Sequence, residues 1–325
     1  MPLCHGTIIA TIVITMAIEG HNALNNIEII MKVLKFGGTS VGSVESLRNV
    51  KSIVESQAEP TIVVVSALGG VTNQLIEMTR MALDHNEAYA STLEQVRQRH
   101  LDIIERLIDA DKQSQCRAVV EQFIENLRSF YQTLCINSDL DATFVKRVSD
   151  AIVCHGEIMS SAIVAALIAG ATPHYSPSFI KTTDGAQGTV LAADLTRRLI
   201  QEQLGSLDER CMVLQGFIAQ DADASYATTL GRGGSDFTAA LVAAALHASC
   251  LEIWTDVDGF MTADPRTHPD ATVIPTMTYA QAQAMCDAGA KVIYPPTLAP
   301  VAALDIPVWV KNTFNPTATG TVIRG

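Results

Sequence analysis

The chain has 325 residues, 48% hydrophobic and only 17% charged. That is too apolar for a disordered polymer, and long enough for one large α/β unit or two to three smaller domains. Lysine and arginine total 22 against 34 acidic residues, a net charge of −12 with no basic cluster to offset it, which argues against nucleic acid or an anionic membrane surface as a partner.

The seven cysteines are scattered, odd in number and form no CxxC pair. A disulfide framework and a cysteine zinc site are therefore disfavoured, and the expected setting is a reducing, cytoplasmic one. No apolar run reaches the ~18 residues of a membrane span. The first 30 residues contain no Lys or Arg, so the basic n-region of a signal peptide is missing. Residues 1–30 differ in composition from the rest and read as an N-terminal extension before Met31, with the alternative of a short packing element.

From residue 32 the pattern alternates. Val33, Leu34 and Phe36 mark a short strand ending in Gly37-Gly38. The spacing of Val44, Leu47, Val50, Ile53 and Val54 predicts a helix over 44–54. The β-branched run 61–65 suits a strand buried on both faces of a parallel sheet, and 74–83 returns to helix. Residues 85–148 hold neither Gly nor Pro and read as two or three helices forming a lid-like or interface excursion. A helix over 149–167 follows, then a strand at 211–216, an Ala-rich helix at 236–246, a strand at 251–255, a helical stretch at 281–286 and strands at 308–311 and 320–323. With no linker and no repeat, 31–325 is expected to be a single domain built from βαβ units.

Five stretches carry candidate chemistry. Lys35 precedes Gly37 and Gly38, and a helix follows: glycines let backbone approach an anion, the helix start offers free N–H groups, and lysine adds a point charge. Alone, this is also an ordinary strand–turn–helix corner, and it is neither a Walker A loop nor a GxGxxG fingerprint. In TLGRGGSD (229–236) three glycines surround Arg232, and Ser235-Asp236 open a helix. Ser235 is explained as a cap, but the glycines and Arg232 suit an anionic ligand. In HGE (155–157), Glu157 lies on an otherwise apolar helix and suits an amine, whereas His155 reads as structural. Thr255 and Asp256 fall at a strand's carboxyl end, where open α/β sheets bind ligands, although turns favour the same residues. Lys291 in GAKVIYP is uninformative alone. Together the cations, glycine loops and carboxylates form an inventory for phosphoryl transfer.

The ordered series KFGGTSVG (35–42), VVVSALGGVTN (63–73), HGE, QGFIA (215–219), TTLGRGGSDFTAAL (228–241), EIWTDVDGF (252–260), TADPR (262–266), GAKVIYPPTL (289–298) and VKNTFNPTATGTVI (310–323) resembles the catalytic domain of aspartate kinases, in the amino acid kinase family. The VDG and KNT-NP wording is similar to the kinase half of bifunctional aspartokinase–homoserine dehydrogenases. The resemblance implies a three-layer αβα sandwich with a mostly parallel sheet of about eight strands. It implies transfer of the ATP γ-phosphoryl to the β-carboxylate of L-aspartate, the step that opens lysine, threonine, methionine and isoleucine synthesis.

It further implies that Lys35, Asp236 and Arg232 are catalytic, and that Ser66, Thr72, Glu157, Arg232 and Ser235 bind aspartate. Lys35, Gly37, Gly38, Thr255, Asp256 and Lys291 would hold the nucleotide. Mg²⁺ would ride on ATP with no protein metal cage, and the chain would form a homodimer. Relatives usually have tyrosine where this chain has Met261, and they continue into ACT regulatory domains. No ACT or dehydrogenase domain is expected within these 325 residues, which leaves open a catalytic part that works only with an ACT-containing partner, or a kinase for another carboxylate.

Overall fold

The computed structural model describes residues 31–325 except 186, 187, 207, 264–266 and 269. The expectations for residues 1–30 and for the 264–266 part of the TADPR match lie outside the described residues.

The first half is built from β1 (Lys32–Phe36), α1 (Val44–Glu55), β2 (Thr61–Val65), α2 (Val71–Leu83), α3 (Tyr89–Leu107), α4 (Ala110–Ile136) and α5 (Ala142–Leu167). Ser43 caps α1 and exchanges hydrogen bonds with Ser46 in a capping box, which fixes where the turn after Gly42 becomes helix. All five residues of β2 are buried, as its β-branched run requires. The structure then continues through β3 (Ala171–His174), β4 (Lys181–Gly185), β5 (Gly188–Leu191), α6 (Ala193–Leu204), β6 (Cys211–Gln215), β7 (Ile218–Asp221), β8 (Ala227–Thr229) and α7 (Gly234–Ala245). It ends with β9 (Cys250–Thr255), β10 (Thr276–Met277), α8 (Tyr279–Asp287), α9 (Leu298–Ala302), β11 (Val308–Asn312) and β12 (Thr321–Ile323).

Eight strands form one sheet in the order β10-β12-β11-β9-β1-β2-β6-β3. Six of them, from β11 to β3, are mutually parallel. β12 runs antiparallel to β11 and carries β10 with it. A second, four-stranded sheet has the order β5-β4-β7-β8. The pleat of β1 divides the interior: Leu34 and Phe36 enter a core shared with α1 to α5, and Val33 enters one shared with α6 to α9. This is the expected αβα sandwich around a mostly parallel eight-stranded sheet.

The 85–148 excursion is not a lid. Leu93, Val96 and Ile104 of α3 and Val120, Ile124, Leu127 and Tyr131 of α4 are fully buried or nearly so, in the same core as β1. The Tyr131 hydroxyl donates to the Leu75 carbonyl of α2 at 3.0 Å. These helices thicken the layer that α2 and α5 begin. Helix α5 is, among the described residues, long and apolar enough to cross a membrane; 67% of its most apolar window is buried inside the protein, so its apolarity has a use in the core.

Candidate active site

A cleft of about 330 Å³ opens beyond the carboxyl ends of β1, β2 and β6. Its walls come from the loop after β1, the loop after β2, the middle of α5, Phe217 after β6, and the 231–236 stretch that starts α7. Strand alternation sends Lys35 to the face opposite Leu34 and Phe36, towards the first turn of α7. There its Nζ lies 2.6 Å from Asp236 Oδ1, and both side chains are nearly buried, at 11% and 12% exposure. The other Asp236 oxygen, Oδ2, accepts the Tyr294 main-chain N–H at 3.3 Å. A carboxylate so placed holds the lysine ammonium at the cleft floor while gaining from the positive end of α7.

Ser66, the first residue past β2, donates its hydroxyl to Ser235 at 2.9 Å, joining the β2 loop to the start of α7. The β1 and β2 loops meet backbone to backbone: a Cβ on Gly69 would come within 2.9 Å of the Gly38 carbonyl oxygen, so glycine is required at this approach. Gly233 has φ +70°, and a Cβ there would land inside the Tyr294 ring. Arg232, beside it, is exposed at the cleft mouth and makes no ion pair or hydrogen bond among the described residues.

Glu157 faces the cleft from α5 with 3% exposure. Its Oε1 accepts the Ala67 N–H at 3.2 Å, and its Oε2 is buried without a partner among the described residues. Burial pushes this carboxyl up to about 8, against the pull of the Ala67 N–H. His155 is held in α5 by Nδ1 at 2.7 Å from the Ala151 carbonyl oxygen, with the rings of Phe123 and Phe130 against it in T-shaped contacts. Burial pulls it down to about 4, and it does not line the cleft.

Lys35, Gly38, Ser66, Thr72, Glu157, Arg232, Ser235 and Asp236 therefore surround one cavity. Gly37, Thr255, Asp256 and Lys291 do not line it. Gly37 donates its N–H to the Trp254 carbonyl at 3.2 Å, which puts Gly37, Thr255 and Asp256 together at the ends of β1 and β9, one strand over. Lys291 is exposed in the loop before α9; from that loop it is Tyr294 that meets the cleft's own residues, through Asp236 and beside Gly233. Asn73 and Phe217 also line the cavity without having been singled out. Asn73 ends a matched motif, and Phe217, with φ +69°, marks a strained corner that sequence alone does not show. Among the described residues no group of three or more His, Cys, Asp or Glu side chains is arranged to hold a metal.

The amino acid kinase family profile matches residues 31–312, and the chain belongs to that family. It is 35% identical over 297 residues to lysine-sensitive aspartokinase 3 of Escherichia coli, covering 90% of this chain and 63% of that protein. It is 33% identical over 298 residues to the chloroplastic bifunctional aspartokinase/homoserine dehydrogenase 1 of Arabidopsis thaliana, covering 90% and 32%. Among solved structures, E. coli aspartokinase III in complex with aspartate and ADP superposes with a TM-score of 0.81 at 33% identity, over 91% of this chain and 64% of that one. The chain thus spans about a third of its bifunctional relatives and just under two thirds of the E. coli aspartokinase.

Proposed function

We propose that the chain is the catalytic unit of an aspartate kinase, transferring the γ-phosphoryl group of ATP to the β-carboxylate of L-aspartate to give 4-phospho-L-aspartate and ADP. The observation that carries this reading is the charge layout of one cleft. Among the described residues, an arginine with no partner stands at the mouth, a buried carboxyl oxygen with no partner lies in the wall, and a lysine held by an aspartate is on the floor. An α-amino acid presents a carboxylate and an ammonium that suit Arg232 and Glu157, and its side-chain carboxylate is then directed towards Lys35. Ser66, Thr72 and Ser235 supply neutral donors around it.

The acceptor needs no general base, because a carboxylate is already ionised at neutral pH. One of its oxygens forms the new P–O bond as the bond to the ADP oxygen breaks. The chain's work is positioning and charge neutralisation. Lys35 faces the phosphoryl oxygens, and Asp236 keeps its ammonium in place. Gly37 and Gly38, having no side chains, let the backbone come close to the phosphates, with Thr255, Asp256 and Lys291 on the nucleotide side. Mg²⁺ in this reading enters as MgATP, bound chiefly through phosphate oxygens and water. In this reading the reaction opens the synthesis of lysine, threonine, methionine and isoleucine, and the working form is a homodimer.

The test is hydroxylamine trapping of the acyl phosphate with purified protein and MgATP. Aspartyl hydroxamate is expected from L-aspartate, and none from glutamate or acetylglutamate. Absence of product with aspartate from a folded sample, or a preference for another acceptor, would overturn the assignment.

A further inference from the structure

Arg99 lies on α3, behind the cleft rather than in it. Its Nη1 donates to the Gly69 carbonyl and its Nη2 to the Gly42 carbonyl, each at 2.7 Å. Gly42 closes the loop after β1 that carries Gly37 and Gly38. Gly69 belongs to the loop after β2 that runs from Ser66 towards Thr72. The backbones pack closely here: a Cβ on Gly42 would meet the Gly38 carbonyl oxygen at 2.9 Å and the Gly69 nitrogen at 3.5 Å. Where the strands end, the Ser66 N–H donates to the Phe36 carbonyl at 3.2 Å; further out, at Gly42 and Gly69, the rigid guanidinium fork spans both loops.

The anchor behind the fork is also built. Arg97, two residues earlier, pairs with Glu121 of α4 through Nε to Oε2 at 2.7 Å and Nη2 to Oε1 at 2.5 Å, and Val96 and His100 on either side of the pair are buried. Arg99 itself has no carboxylate partner among the described residues. A half-buried cation satisfied by two main-chain carbonyls is a specific arrangement, because each carbonyl belongs to a different glycine loop.

We propose that Arg99 is a positioning residue that sets the spacing between the phosphate-side loop (35–42) and the acceptor-side loop (66–73), and thereby the in-line approach of carboxylate to phosphoryl group. This rests on the phosphotransfer reading above. Nothing in the role requires Arg99 to touch either substrate. Displacement of reacting groups by about 1 Å is enough to cost on the order of 10²-fold in rate.

The experiment compares the parent protein with Arg99→Ala, Arg99→Lys and Arg99→Gln in the hydroxamate assay, with kcat and KM measured for both substrates and melting curves recorded alongside. Arg99→Ala is expected to lose about 10²-fold in kcat with a smaller change in either KM. Millimolar guanidinium ion should restore part of that loss without affecting the parent. Arg99→Lys, which reaches one carbonyl at a time, should fall in between. Full activity in Arg99→Ala, or in both Arg99→Lys and Arg99→Gln should the alanine variant fail to fold, would overturn the proposal. So would a loss that tracks melting temperature and ignores guanidinium. If the parent makes no aspartyl hydroxamate, the phosphotransfer reading has failed instead.

Discussion

Glutamine at position 157 removes a conflict between what the core tolerates and what the ligand needs. In the folded chain the Glu157 carboxyl loses its proton near 8, against an ordinary 4.5. Between those values the unfolded chain has released a proton that the folded chain still holds. Stability therefore falls as pH rises through that window and levels off above it. The interval corresponds to about 5 kcal/mol, of which about 3 kcal/mol is gone by pH 7. Glu157→Gln keeps an oxygen to accept the Ala67 N–H and has no charge to bury. Denaturant unfolding of the two proteins at pH 5, 7 and 9 should show near-equal stability at pH 5 and a growing advantage for the variant above it. Groups common to both proteins cancel in the difference. The same variant loses the partner for an ammonium, and its KM for aspartate should rise about 10- to 100-fold, the worth of a hydrogen bond to a charged group. A pH-independent stability difference, or a parent that gains on the variant between pH 5 and 8, would refute the reasoning.

Three further outcomes follow from the same geometry. In the parent, kcat/KM for aspartate should climb about tenfold per pH unit below 7 and flatten above 8.5, while Glu157→Gln should show no such limb; an equal slope in both would show that another group titrates. Lys35→Met should abolish turnover and destabilise by about 3–5 kcal/mol by stranding Asp236; adding Asp236→Asn should restore stability but not turnover, as read by chemical unfolding beside the hydroxamate assay. Gly231 and Gly233 both have φ +70°, but only Gly233 has a neighbour where a Cβ would go. Gly231→Ala should therefore cost only the backbone strain of about 1–2 kcal/mol, whereas Gly233→Ala should also displace Tyr294 and raise the KM for aspartate; equal effects would show that the Tyr294 contact is idle.

The central sheet was legible because β1, β2, β6, β9 and β11 are short apolar runs bounded by glycine or polar turns. β3, β4, β5 and β8 were not, because strands such as Lys181–Gly185 and Gly188–Leu191 are short, polar and half exposed, leaving no alternation to find. β10 has two residues. The 85–148 helices looked like a lid because most of their surface is polar, yet narrow apolar stripes are enough to bury them. At the site, residue types suggested anion chemistry, but nothing local says that Ser66 meets Ser235 or that Lys35 pairs with Asp236. Those neighbours follow from sheet topology. Arg99 was invisible for a simpler reason: its partners are carbonyls, and a main-chain oxygen has no letter in a sequence.

The central strand has a consequence for how the protein is made. Ser66 and Ser235 are 169 residues apart, and Ser40, which shares a hydrogen bond with Thr313, is 273 residues from it. Contacts so distant in sequence form slowly. While the chain emerges from the ribosome, β1 and β2 are available long before β9 covers one flank and β6 the other, so a hydrophobic two-stranded edge stands open during synthesis and invites pairing with other chains. The cleft is consequently among the last parts to form, and a nascent chain that binds ligand has already brought β1 together with the distant start of α7.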